Sequence, residues 1–546
     1  MTKYIFVTGG VISGVGKGIA VASIGKILQS RGLEVTAMKI DPYVNVDAGT
    51  MNPTEHGEVF VLDDGTECDQ DMGNYERFLN RNLSRANYLT TGSIYLDVIQ
   101  KERSLKYKGK CVEVVPQVPL AILEKIDEAA KKTKADVIIV EIGGTVGEYQ
   151  NILFLEAVRM LKFKKPKDVL LILVSLLPTL EAGGTEIKSK PTQYAVRTLN
   201  AAGLQPDIII ARARIPLDDK RKQTIALNCS IDIKDIISAP NVDNIYKIPL
   251  NFEGGNLSDR ILKKLKVRPR QRDLAAWQKM VNRASTVKRV AKIGVIGKYF
   301  GSGNFILTDS YISVLEAIRH AAGAQNAEAD ISWIDSEEFE KNPAKIKKVL
   351  KDYQGICVPG GFGSRGIEGK ILAIKYARES KTPFFGLCYG LHLATVEFAR
   401  HVADLRGAHT TEINPKTLYP VIHIMPEQEK LIEGSNYGGT MRLGAYPCKL
   451  VQNTKAFEAY SSHISHFSSL IFERHRHRYE FNNKYRDLLE KKGLVIAGIS
   501  PNGQLVEIIE LKNHPFFVAT QFHPEFKSRP LKPHPLFLEF IRAAIK

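Results

Sequence analysis

Short aliphatic and β-branched runs alternate with helix-forming stretches through both halves of this 546-residue chain. Tyr4–Val7, Val35–Ile40, Val137–Ile142, Val169–Leu177 and Asp207–Ala211 read as buried strands. Ile19–Gln29, Leu120–Lys132 and Gln193–Ala202 read as helices. A strand that is apolar along its whole length, followed by a helix, belongs to a parallel sheet covered on both faces. The fold class is therefore α/β, and ligands are expected beyond the carboxyl ends of the strands.

The chain is too long for one core. Its character changes at Leu262-Lys-Lys-Leu-Lys-Val-Arg-Pro-Arg-Gln-Arg272, which is strongly basic. A short amphipathic helix begins near Asp273 and carries Trp277, and Lys292 opens a new strand. We read residues 1–265 as one domain, 266–291 as a linker with a docking helix anchored by Trp277, and 292–546 as a second domain. The net charge is +17, which favours anionic partners such as nucleotides. No RNA-binding motif or zinc-finger spacing accompanies it, so nucleic acid is not expected as a partner. The six cysteines are widely spaced without a C-x-x-C, as in a reducing cytoplasm. The chain opens directly on a strand pattern, and no apolar run approaches the ~20 residues of a membrane span. A cytoplasmic protein without membrane contact is expected.

The first strand runs into Gly9, Gly10, Gly14, Gly16 and Gly18, with Lys17 among them, before the helix from Ile19. Such a loop brings backbone N–H groups and a helix N-terminus to a phosphate, and the lysine neutralises its outer charge. The match to G-x-x-x-x-G-K-[ST] is imperfect. Gly10 precedes Gly16 by six residues rather than five, and position 18 is Gly, without the hydroxyl that usually meets Mg²⁺. A metal would have to be held from elsewhere in the chain.

The second half carries a different chemistry. Pro383-Phe-Phe-Gly-Leu runs into Cys388-Tyr-Gly390, followed by helix formers. A nucleophile on a tight strand-to-helix turn needs a nearby glycine, and a helix N-terminus favours the thiolate. His523 and Glu525, in Gln521-Phe-His-Pro-Glu525, are candidates for the base and its orienting partner. Val358-Pro-Gly-Gly-Phe-Gly-Ser-Arg-Gly366 offers backbone donors for an oxyanion.

The C-Y-G and distant H-P-E resemble the class I glutamine amidotransferases. Val7-Thr-Gly-Gly-Val-Ile-Ser-Gly-Val-Gly-Lys-Gly18, Met38-Lys-Ile-Asp-Pro-Tyr43, His56-Gly-Glu-Val-Phe-Val61, Asp71-Met-Gly-Asn-Tyr-Glu-Arg-Phe78, Glu141-Ile-Gly-Gly-Thr-Val-Gly147 and Lys190-Pro-Thr-Gln193 are similar to the CTP synthases. The resemblance covers the whole chain. It implies a P-loop-like parallel-sheet amidoligase domain followed by a flavodoxin-like α/β class I glutamine amidotransferase domain. It implies amination of UTP to CTP: ATP phosphorylates the uracil O4, and ammonia from glutamine displaces the phosphate. Ammonium is not a nucleophile, so a shielded passage keeps the ammonia reactive.

By resemblance, Gly14, Val15, Gly16, Lys17, Gly18 and Ile19 wrap the ATP phosphates. Lys39 is a second cation there, and Val242 lies near the adenine. Asp71 and Glu141 match the family's Mg²⁺ carboxylates. Ser13, Lys188, Lys190, Gln193 and Thr224 fall on the UTP segment. Glu148, Tyr149 and Gln150 align with a stretch tied to CTP inhibition. Gly361, Tyr389, Gly390, Leu391, His392, Glu412 and Arg478 line the glutamine pocket, Glu412 for the amino group and Arg478 for the carboxylate. The resemblance also implies GTP as an allosteric activator and a homotetramer.

Several positions depart from the family pattern. The lid reads Cys111-Val-Glu113-Val-Val-Pro-Gln117. Thr224 stands for a lysine, Pro240-Asn-Val242 for K-D-V, His392 for a glutamine and Ser175-Leu-Leu for P-Y-M. These changes leave open a diverged paralogue with another acceptor. A non-catalytic assembly or regulatory subunit is the remaining alternative. Arg474-His-Arg-His-Arg478 could instead form a nucleic-acid patch.

Overall fold

The computed structural model describes residues 2–180, 186–285, 289–297, 301–302, 305–306, 308–425, 428 and 438–546. Two compact units emerge: Met1–Asp47 with Asp71–Val281, and Ala48–Gln70 with Asn282–Lys546. They depart from the sequence-read boundaries mainly at residues 48–70, which group with the carboxyl-terminal unit. Of the linker read at 266–291, residues 286–288 lie outside the described residues.

The first unit is built on a seven-stranded sheet. Its spatial order is Ile236–Pro240, Ile208–Ala213, Val169–Leu176, Lys3–Gly10, Val137–Thr145, Val35–Asp41 and Tyr88–Thr90. Every neighbouring pair is parallel. Ile5, Val7, Ile138, Ile139, Leu171 and Ile172 are all sealed from solvent. Burial of both faces is why these strands read as unbroken apolar runs. The order reverses at Lys3–Gly10. The chain first builds outward through Val35–Asp41 to Tyr88–Thr90. It then returns to place Val137–Thr145 on one side of the first strand and Val169–Leu176 on the other. Register sets Gly9 level with Thr145 and Gly10 level with Ser175. Three carboxyl ends thus meet at the switch point, where such sheets bind ligands.

Trp277, on the helix Ala275–Ser285, is buried in this unit. Its Nε1 donates to Tyr246 O at 2.8 Å, and its ring lies 5.2 Å from Phe78. The helix expected from Asp273 therefore begins two residues later and is held by the anchor read from the sequence.

The second unit holds a nine-stranded sheet. Its order is Ala327–Asp335, Arg289–Gly297, Gly355–Val358, Phe384–Leu387, Phe517–Thr520, Val506–Leu511, Leu494–Ile499, Arg442–Leu450 and Leu470–His477. The first five strands are parallel and the last four extend them antiparallel. Residues 48–70 contribute a hairpin to this unit, with antiparallel strands Val59–Val61 and Glu67–Asp69. It groups here because its charges are answered here: Asp63 pairs with Arg474 at 2.6 Å and Glu67 with Arg476 at 2.8 Å. The run Arg474–Arg478 is accordingly not the exposed patch that nucleic-acid binding would need. Arg474 and His475 have no exposed area, and His477 is buried.

Among the described residues, no helix is long and apolar enough to cross a membrane. All six cysteines are free thiols.

Candidate active sites

In the first unit, Gly16 caps the helix Lys17–Ser30 with φ 85°, a left-handed conformation that glycine adopts without strain. No side chain caps this helix, so its first N–H groups point into the glycine loop. Ser13 and Gly14 are exposed on the loop, Val15 is buried and Ile19 half-buried. Lys17 folds back so that Nζ donates to Gly144 O at 2.7 Å. Burial lowers the pKa of its ammonium, although Glu141 and Asp71 pull the other way.

Gly18 explains its own identity. A Cβ built there would lie 1.9 Å from Asp71 Oδ1. The carboxylate of Asp71 occupies the ground that a serine or threonine side chain would take. Lys39 Nζ binds that carboxylate at 2.6 Å and Glu141 Oε1 at 2.9 Å, with Asp41 Oδ1 at 3.8 Å. Burial works against ionisation of Asp71, but Lys39, with help from Asn74 and Lys17, outweighs it and holds the carboxyl below the usual range. Burial dominates at Glu141 and Asp41, and both sit above that range despite Lys39. Tyr75 OH donates to Glu141 Oε2 and fixes its orientation.

The expected UTP segment starts the helix Lys190–Ala201. Thr192 and Ser175 hydroxyls meet at 2.8 Å, which pins that helix start to the switch point. Gln193 is buried and its Nε2 donates to Ser189 Oγ at 3.0 Å; Lys190 is exposed. Lys188 pairs with Glu186 at 2.6 Å. Glu148 accepts from Thr145 N at 2.8 Å and from Gln150 Nε2 at 2.6 Å, whereas Tyr149 is 90% exposed. Thr224 stays apart: it is exposed, and its hydroxyl donates to Lys220 O within its own helix. Glu113 is exposed as well. Val242 is half-buried, just past a depression lined by Gly16, Arg212, Pro240, Asn251 and Phe252. Arg212 was not singled out from the sequence. Its guanidinium lies 3.7 Å from where a Gly16 Cβ would sit. Its position at the carboxyl end of the Ile208–Ala213 strand is the signal that could have found it.

In the second unit, Cys388 caps the helix Tyr389–His401 with φ 49° and ψ −95°. A non-glycine residue in this region carries strain of order 1–3 kcal/mol, which the surroundings must hold. They do: Cys388 N donates to Thr520 O at 2.7 Å. A Cβ at Gly390 would meet Val358 O at 2.3 Å, so the elbow closes only around glycine. The thiol points at Arg476 O, 3.8 Å away, and Gln521 Nε2 approaches Sγ at 3.8 Å.

His523 Nδ1 bonds Glu525 Oε1 at 2.7 Å. Its ring stacks on Phe526, 5.0 Å away and tilted by 13°. Burial disfavours the charged imidazole, yet Glu525 and Cys388 outweigh burial and push its pKa up to about 10. Glu412 Oε1 accepts from Gly363 N at 3.1 Å, in the loop that holds Gly361. Arg478 is held by Gln428 and by Thr440 Oγ1, the latter at 2.9 Å. Burial, then Glu412, raises the pKa of the Tyr479 hydroxyl while Arg478 opposes them, so both charges flank one ring. Leu391 and His392 turn their side chains into the core, and the buried Tyr389 sends its hydroxyl to Gly363 O at 3.2 Å in the glycine loop. They present the first helical turn, rather than those side chains, to the elbow.

Residues 3–267 match the family model described as the CTP synthase N-terminus. Residues 306–543 match that of class-I glutamine amidotransferases. The CTP synthase of Carboxydothermus hydrogenoformans is 52% identical over all of this chain and 99% of its own. That of Geobacillus kaustophilus is 49% identical over the full length of both, and that of Bacillus subtilis 48% over all of this chain and 99% of its own.

The chain belongs to the CTP synthase family.

Against the CTP synthase pattern, the departure at His392 acquires a structural meaning. His392 is 2% exposed, and its Nε2 meets Gln521 Oε1 at 3.1 Å. Burial lowers its pKa to about 4 and keeps it neutral. An imidazole thus holds the amide that faces the thiol. Gln521 had no role in the sequence reading, although it opens the H-P-E motif.

Proposed function

We propose that this chain converts UTP to CTP with ATP and glutamine, as its family membership from end to end supports. The observation that supports this most is that one chain carries a cysteine on a strained elbow with a buried His–Glu pair in one unit, and a glycine loop backed by two lysines and two carboxylates in the other.

Cys388 Sγ attacks the glutamine carboxamide carbon. His523, held protonated by Glu525, passes its proton to the departing nitrogen and leaves a thioester. His523 then takes a proton from water, which hydrolyses the thioester to glutamate. Glu412 and Arg478 hold the two ends of the substrate's amino-acid group, and the glycine loop 358–366 supports the oxyanion.

In the other half-site, the N–H groups of Gly14–Ile19 and the ammonium groups of Lys17 and Lys39 hold the ATP phosphates. The γ-phosphoryl passes to the uracil O4. Ammonia adds at C4, phosphate leaves, and a proton is lost to give CTP. Asp71 and Glu141 would hold Mg²⁺. Two carboxylates plus phosphates meet its usual demand, and the ionised Asp71 beside the glycine loop fits it. The ion supplies charge neutralisation to the phosphates. Among the described residues no cluster of three or more metal-binding side chains exists. Val242 and Arg212 border the adenine, and Ser13, Lys188, Lys190 and Gln193 serve UTP. The exposure of Thr224 and Glu113 argues against either recasting the acceptor pocket.

A cytoplasmic homotetramer with GTP activation completes the reading. Exposed apolar side chains at Ile99, Val114 and Leu120, on two helices packed together, support burial of that face in an assembly. Purified protein is tested with UTP, MgATP and either glutamine or ammonium, with and without GTP. CTP from both nitrogen sources is expected. Turnover only with another acceptor, or none, overturns the reading.

A further inference from the structure

The hairpin contributed by residues 48–70 touches the glutaminase machinery at several independent points. Phe60 is buried, and its ring meets Phe526 edge-on at 4.9 Å. Phe526 is the platform on which His523 lies. On the same ring of Phe60 sits the guanidinium of Arg474, 5.4 Å from its centroid. Arg474 is wholly buried, bonds Asp63 of the hairpin, and gives its carbonyl to His523 N at 2.8 Å. Two residues along that strand, Arg476 pairs with Glu67 of the hairpin, and its carbonyl is the one the Cys388 thiol approaches. The hairpin is tied down at its start as well. Glu58 accepts from Ser313 N at 3.2 Å and from the Ser313 hydroxyl. At the turn, a Cβ on Gly65 would lie 2.9 Å from Leu443 O.

From this ladder we infer that Phe60 is a positioning residue for glutamine hydrolysis: it fixes Phe526, and through it the ring of His523, while Asp63 and Glu67 fix the strand that contacts both catalytic groups. The glutaminase half-site thus reaches outside residues 306–543, the stretch matching the amidotransferase family, into a hairpin more than two hundred residues upstream. A ring held from beneath by a second ring has one orientation, and proton transfer is sensitive to misplacement of about 1 Å. Removing Phe60 opens space under Phe526, lets both rings tilt, and weakens the aim of His523 without touching the glutamine-binding charges at Glu412 and Arg478.

The inference rests on Cys388 and His523 being the glutaminase pair. It is tested in the full chain with Phe60→Ala, Phe60→Leu and Phe60→Tyr, following glutamate release and ammonium-driven CTP formation separately. For Phe60→Ala, a fall in glutaminase kcat of tenfold or more is expected, with KM within twofold and ammonium-driven synthesis kept. Phe60→Tyr retains the ring and restores most of kcat. Phe60→Leu, which keeps apolar bulk and loses the ring edge, lies between and remains informative if the alanine variant does not fold. An unchanged kcat in both the alanine and leucine variants overturns the proposal. So does a rise in KM with kcat intact, which would make Phe60 part of the pocket wall. Failure of the glutaminase reading itself shows differently: Cys388→Ala would still make CTP from glutamine, whatever Phe60 does.

Discussion

The two half-sites solve opposite problems. Around Cys388 the geometry is set in advance by packing: a strained elbow, a buried imidazole on an aromatic platform, and carbonyls placed by clamped strands. Around the glycine loop the geometry is set by charge: Lys39 holds Asp71 and Glu141 together, while Ser13 and Gly14 stay exposed. Covalent catalysis needs reacting atoms aligned within the protein itself. Phosphoryl transfer needs positive potential and oxygens arranged around a substrate that brings its own charge. One site therefore resembles a core, and the other a network of ions.

Substitutions that separate the two sites test this contrast most directly. Cys388→Ala is expected to lower glutamine-driven CTP formation by about 10⁴-fold or more, since a nucleophile has no partial substitute, while ammonium-driven formation persists. Loss of both, measured by product analysis with each nitrogen source, breaks the division. Lys17→Ala should give the converse pattern. Synthesis falls about 10²- to 10³-fold with either nitrogen source, and glutamate release without UTP continues.

Gly18→Ala sharpens the claim that charge geometry governs the phosphate site. The new methyl displaces Asp71, and a loss of about tenfold or more in synthesis is expected by analogy with other misplaced groups. An unchanged KM for ATP and unchanged kcat would show that Asp71 yields without consequence.

A different readout concerns acid stability of the packed site. His392 has a folded pKa near 4, below the unfolded value of about 6.5. Its contribution is complete above 6.5 and is lost as pH falls from there towards 4, because the unfolded state binds the proton more readily. The full effect is about 3 kcal/mol. Thermal melts of His392→Gln should show a shallower loss between those pH values than the parent. His475 and His477, also lowered by burial, leave part of the slope in place. Equal slopes in the two proteins would remove His392 from this account.

Much of this was legible in the sequence for a physical reason. Strands buried on both faces, such as Val169–Leu176, must be apolar throughout, and Cys388 must be followed by a glycine that lets its backbone turn. The hairpin was not legible. Its strands are three residues long, and its charges find partners 409 and 411 positions away, beyond any local pattern. Arg212 was hidden for a related reason: an arginine closing an apolar strand looks like a solvated end until its neighbour Gly16 is placed. The meaning of Gly18 needed coordinates too. The sequence displayed a missing hydroxyl, and only the structure supplied the carboxylate standing there.

That exchange restricts which mutational routes stay open to this loop. A side chain cannot be placed at position 18 while Asp71 keeps its position, and on the proposed metal role Asp71 cannot be given up while position 18 offers no hydroxyl. Each single change is expected to weaken the site, so the two positions are expected to change together or to stay as they are. The loop is better regarded as one of two mutually exclusive ways of placing an oxygen beside the phosphates than as a worn copy of the commoner phosphate-binding signature.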